Sequence, residues 1–128
     1  MKSFLAVAVL LLLPGCSDPA APDPAAFGAL YRIQETPDPP VLTGQTLEVT
    51  VQYGGCRGSH EFELRSRVTS PTSVDVWLRK ITPNEPCDML VTERRSFPVT
   101  ASAGAVRLLG PDGTAFILRA ATASSPSE

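Results

Sequence analysis

The sequence predicts an all-β domain, an antiparallel two-sheet sandwich or a small barrel of about seven strands. Three observations carry this. Apolar residues recur with period two along the longest patterned stretches, and no stretch sustains a 3.6-residue stripe. Turn formers, with 13 prolines and 9 glycines among 128 residues, punctuate the chain at short intervals.

The elements follow in order. Ala29–Gln34 is the first, weakly patterned candidate. In Thr46–Tyr53, Leu47, Val49, Val51 and Tyr53 share one face, with Glu48, Thr50 and Gln52 opposite. In His60–Val68, Phe62, Leu64 and Val68 alternate with Glu61, Glu63, Arg65 and Arg67. Val74, Val76 and Leu78 continue the alternation, with Asp75 opposite. Such patterns mark half-buried antiparallel strands. Met89–Phe97, Ala105–Leu109 and Thr114–Ala120 are further candidates, the last two joined by Gly110-Pro111-Asp112-Gly113, a strong hairpin turn. The order Cys56, Trp77, Cys87 echoes immunoglobulin domains, but Trp77 stands too near the second cysteine. The fold is expected to be Ig-like in architecture only.

Ahead of this domain, residues 1–16 read MKSFLAVAVLLLLPGC. Lys2 followed by an apolar run from Phe4 to Leu13 has the form of a secretory signal. At about ten residues the run is too short for a membrane span, which needs roughly 20. Leu13-Pro14-Gly15-Cys16 resembles the lipobox of bacterial lipoproteins. The resemblance implies cleavage before Cys16, diacylglycerol (with palmitate-type acyl chains) on its thiol, and a bacterial cell envelope address. Ser17 after the cysteine resembles the outer-membrane sorting signal of Gram-negative bacteria, on the periplasmic or surface face. The expected division is therefore a signal peptide at 1–15, a lipidated Cys16 with a Pro/Ala-rich tether to residue 26, a sandwich at 27–121, and a flexible tail at 122–128.

Removing residues 1–15 takes away one charged residue, Lys2, leaving 10 basic and 13 acidic residues, a balance of about −3. With no basic stripe, nucleic acid is not an expected partner.

Cys56 and Cys87 remain after Cys16. In an oxidising compartment they are expected to pair. The alternative is a metal site from Cys56, His60 and Cys87, soft and borderline ligands of the kind zinc or copper takes, although a fourth good ligand is missing. If the bridge forms, His60, the only histidine, is expected beside it, bonded to Asp88.

The run Val51–Leu64, VQYGGCRGSHEFEL, followed by Cys87-Asp88-Met89-Leu90-Val91-Thr92-Glu93, resembles the C-terminal β-sandwich domain of NigD-like bacterial lipoproteins. That resemblance spans about Leu47 to Phe97. It implies an all-β fold and a disulfide, and brings no activity with it.

Enzyme readings lack parts. No serine sits in a G-x-S-x-G turn. Glu61 and Glu63 read as a solvated strand face, and Arg94-Arg95 as solvated or salt-bridged. Trp77 falls on the polar face of its strand by period. A β-bulge turning it into the core is favoured over an exposed aromatic for a partner or glycan. The expected role is a lipid-anchored binding or structural module without catalysis or cofactor. Its candidate binding surface is Trp77, His60 and Arg57, and its candidate partner an envelope protein or glycan. The alternatives are the metal-handling lipoprotein and an inhibitor or assembly factor of an envelope enzyme.

Overall fold

A computed structural model describes residues 21–100 and 104–120. The signal run, Cys16 and the tail at 122–128 lie outside the described residues. Eight strands form two four-stranded sheets: β1 (Arg32–Gln34), β2 (Val41–Thr43), β3 (Thr46–Gly54), β4 (Phe62–Ser70), β5 (Ser73–Lys80), β6 (Leu90–Pro98), β7 (Ala105–Leu109) and β8 (Ala115–Leu118). The predicted all-β sandwich is the observed architecture.

In the first sheet β3 is central. β6 pairs along its whole length, while β1 and β2 share the other edge end to end, against Thr50–Gln52 and Thr46–Glu48. Pro37, Pro39 and Pro40 lie between those two short strands, where missing N–H donors would break any continuous ladder. β2 has three residues, too few to show a period, and the sequence did not predict it.

The second sheet has the order β4-β5-β7-β8. The sandwich was expected to be antiparallel throughout, but β5 and β7 pair in parallel, from Ser73 opposite Ala105 to Trp77 opposite Leu109. The reason is that β6 belongs to the other sheet, so the chain crosses over and returns running in the same direction. Beyond Leu109 the N-terminal segment takes up that edge: Gly28 bridges Lys80, and Ala29 N–H donates to the Lys80 carbonyl at 3.1 Å.

Pro24–Phe27 form a 3-10 turn. The stretch read as tether to residue 26 is therefore structured from residue 24. Pro24 presets φ at its first position, and the Asp23 carboxylate caps it by accepting the Ala25 N–H at 2.9 Å. Phe27 is buried in the core.

The inner faces meet as the alternation predicts except at Val68, which is exposed beside the register shift at the end of β4. Leu47, Val49, Val51 and Tyr53 from β3 pack with Phe62, Val76, Leu78, Phe97, Val106 and Leu108. Two charged residues are also buried: Lys80 on this inner face, and Asp75 on the outer face of β5, covered by its arginine partners. Asp75 lies between Arg67 and Arg107 on the neighbouring strands. Arg107 grips it bidentately at 2.8 Å for both bonds, and Arg67 adds a third at 3.2 Å.

Candidate functional site

One end of the sandwich gathers the residues the sequence singles out. There β3 ends, β4 begins, β5 ends and β6 begins, and the loops between them carry Cys56 and Cys87. The two cysteines form a disulfide with Cα atoms 5.2 Å apart. The bridge ties the β3–β4 loop to the β5–β6 loop. It also consumes both thiolates, so the metal alternative loses its soft ligands, and no cluster of metal-ligating side chains occurs among the described residues.

His60 sits just before β4 and is 2 % exposed, so it is not part of a binding surface. Its ring stacks on Tyr53, and its Nε2 lies 2.8 Å from Glu85 Oε1. The expected partner, Asp88, is instead exposed. Glu85 precedes the bridging Cys87 by two residues, which places its carboxylate over the imidazole. The hydrogen bond from His60 holds the Glu85 carboxyl below its ordinary pKa, with exposed Arg57 adding attraction at 3.8 Å. The Nδ1 of His60 is buried with no hydrogen-bond partner among the described residues.

A second carboxylate, Glu93 of β6, points into the sandwich. It accepts the Tyr53 hydroxyl at 2.9 Å, the Ser59 N–H at 2.6 Å and Arg95 at 3.2 Å. Burial alone would raise its pKa, but these donors outweigh burial and hold the carboxyl below its ordinary value. Ser59 adopts φ 66°, a left-handed backbone that aims its N–H at Glu93. Arg95 also donates to the His60 carbonyl at 2.8 Å. Lys80 completes the cluster, its ammonium 4.8 Å from the Tyr53 ring centre and bonded to the Thr82 carbonyl. Burial pushes Lys80 below the ordinary lysine pKa, with Glu85 opposing. Of the solvated or salt-bridged roles expected for Arg94-Arg95, the salt-bridged one is observed, Arg95 with Glu93 and Arg94 with Glu48; that period two puts Glu93 and Arg95 on the inward face was not read.

Trp77 is not brought to this cluster. β5 pairs in unbroken register at Trp77, so no bulge turns the side chain inward. It stays on the outer face of the second sheet, half-buried, with the Arg67 guanidinium 6.0 Å from its ring centre. Its indole N–H is shielded without a hydrogen-bond partner among the described residues.

Beside the bridge lies a groove of about 340 Å³, lined by Leu30, Tyr31, Gln52, Tyr53, Asn84 and Leu90 among others. Its floor is held by Tyr31, whose hydroxyl donates to the Leu78 carbonyl at 2.5 Å, and by Asn84, whose amide donates to the Leu30 carbonyl at 3.0 Å. Leu30 and Leu90 on its rim are 79 % and 70 % exposed. Sequence reading missed both: Leu30 was placed inside a candidate strand and Leu90 inside another, where a leucine is expected to face the core.

The arrangement is tied by the disulfide and two carboxylate networks, and it presents an open groove with exposed apolar rims. Its one imidazole is enclosed and committed to Glu85. No helix among the described residues is long and apolar enough to cross a membrane. Comparison with known proteins gives no match to any family model, curated protein or solved structure. The lipobox and NigD-like resemblances therefore rest on the residues that carry them.

Proposed function

We propose that this chain is a lipid-anchored module of the bacterial cell envelope that acts by binding and not by catalysis, and that it binds at the disulfide end. The observation that carries the reading is the open apolar groove between the exposed side chains of Leu30 and Leu90. Water-exposed leucines facing each other across a preformed groove leave burial energy unclaimed, about 1.5–3 kcal/mol for each side chain fully covered. The disulfide and the Glu85 and Glu93 networks hold the groove walls in place without a ligand, which lowers the ordering cost of binding.

The anchor in this reading is Cys16, through the lipobox. The test is a photoreactive residue at position 90, or at position 117 on the opposite sheet, in the full chain made in a lipoprotein-processing bacterium. Adducts are expected mainly from position 90, with diacylglycerol on Cys16 by intact mass. Equal labelling at 117, or none at 90, removes the groove from the proposal; a free Cys16 thiol removes the anchor.

A further inference from the structure

Three features converge at one end of the molecule. Seven large apolar side chains are exposed among the described residues, and four of them belong to the disulfide end: Leu30, Met89 and Leu90 strongly, Ile81 less so. Val68 marks the opposite end, beside the β4–β5 turn. The groove opens at the disulfide end. The chain enters the fold there as well: Asp23 caps the 3-10 turn, and Ala21–Pro24 lie against the Leu109–Gly113 turn.

The distance from anchor to fold is short. From Cys16 to Asp23 is a step of seven residues, which even fully extended reaches at most about 25 Å. A nine-residue strand such as β3 is itself about 30 Å long. A lipid on Cys16 therefore keeps the entry point of the fold, and with it the disulfide end, near the bilayer. Were this end turned to water, its four apolar side chains would be unexplained. Turned to the bilayer, they meet the one apolar phase within reach.

We infer that the disulfide end rests on the membrane surface, with Leu30, Ile81, Met89 and Leu90 entering the boundary between headgroups and acyl chains. The occupant of the groove end is thus phospholipid. This inference rests on the lipid-anchor reading and names the partner of the same site. Charge sets the lipid class. The mature chain carries about −3, and the exposed charges around the tips are of both signs, Arg32, Arg57 and Arg79 with Glu61 and Asp88. The contact is apolar, suits zwitterionic lipid and does not depend on salt. The disulfide stiffens the two loops that present Ile81, Met89 and Leu90, so they meet lipid as a fixed set rather than as mobile tips.

The test uses the full lipidated chain in vesicles of phosphatidylethanolamine and phosphatidylcholine with brominated acyl chains. Trp77→Phe supplies a background for single probes Leu30→Trp, Leu90→Trp and Val68→Trp. Quenching at least about twofold stronger at 30 and 90 than at 68, unchanged by salt, is expected. Intact mass is read on the same sample. A free Cys16 thiol overturns the anchor and the inference together. A lipidated chain with equal quenching at all three positions overturns the inference alone. So does a blue-shifted, unquenched probe at 30 or 90, which would mean that protein covers the groove. Should the Trp77→Phe background fail to fold, hydrogen exchange of the natural lipidated chain replaces it. Vesicles are then expected to slow exchange at 28–30 and 88–90 and not at 69–72, and the absence of that contrast overturns the inference.

Discussion

The imidazole of His60 lies 4.4 Å from the phenol ring of Tyr53 and only 24° from parallel to it. Tyr53 lies one residue from the end of β3 in one sheet and His60 just before β4 in the other, so this stack spans the mouth of the sandwich. Glu85 and Glu93 clamp it from two sides, one on the imidazole and one on the phenol.

The disulfide starts from the loop between these two residues and closes a loop between residues 31 apart in sequence. Chain-entropy reasoning gives such a closure about 3–4 kcal/mol. The double variant Cys56→Ala/Cys87→Ala is expected to lose about that much while keeping its β-rich circular dichroism. Urea unfolding measures it, and added reductant should shift the natural protein by the same amount and leave the variant unmoved.

Asp75 gives the fold an acid limit. The hydrogen bonds from Arg107 lower its pKa most; burial opposes them, and Arg67 adds to the lowering. A depressed folded-state pKa means stability that is complete above the unfolded value and lost as pH falls through the folded one. Asp75→Asn is expected to cost about 2–3 kcal/mol at pH 7, from weakened charge-assisted bonds. It should also flatten the decline of stability below about pH 4. Thermal melts from pH 2 to 7 check both.

Lys80 behaves in the opposite sense. Burial lowers its pKa in the folded state, so its charge opposes folding at neutral pH, and that penalty falls as pH rises through the folded value toward the unfolded one. Lys80→Met keeps the volume and removes the charge; it is expected to match or exceed natural stability and to lose the alkaline gain. Lys80→Ala leaves a cavity instead and should cost about 2–4 kcal/mol. Denaturant midpoints at pH 7 and pH 10 separate the two.

Gly28 docks the N-terminal segment. Its φ is +70°, and a Cβ there would stand 2.2 Å from the Lys80 carbonyl oxygen. Gly28→Ala is expected to detach the Pro24–Phe27 turn at a cost of about 1–3 kcal/mol. Faster hydrogen exchange at 25–29 and a lower melting temperature would register it.

What the sequence made legible follows burial. Leu47, Val49, Val51 and Tyr53 alternate without exception, so β3 and its inner face could be read directly, as could the pairing of Cys56 with Cys87. β2 was invisible because three residues cannot display a period. The parallel return of β7 was invisible because its partner β5 lies far back in the sequence, with a strand of the other sheet between them, and such a pairing leaves no local trace. Trp77 stayed where its period put it, and the expected bulge does not exist. Glu93 and Arg95 obeyed the same alternation and pointed inward, against the habit of placing charges in water, because each brings its partners along. The choice of Glu85 over Asp88 for His60 depended on loop geometry that spacing alone does not encode.

The parallel pairing of β5 with β7 also governs when the chain can become native. Trp77 meets Leu109 only after β6 has crossed to the opposite sheet, so no local hairpin can nucleate the second layer to completion. Topologies of this kind, dominated by distant contacts, fold in roughly milliseconds to seconds rather than microseconds. The ribosome must deliver the last hairpin, β7 and β8, before the second layer can close. For the exported lipoprotein proposed above, that delay would keep the chain threadable as far as the translocation machinery, with the architecture completed on the far side, where the two cysteines can be oxidised.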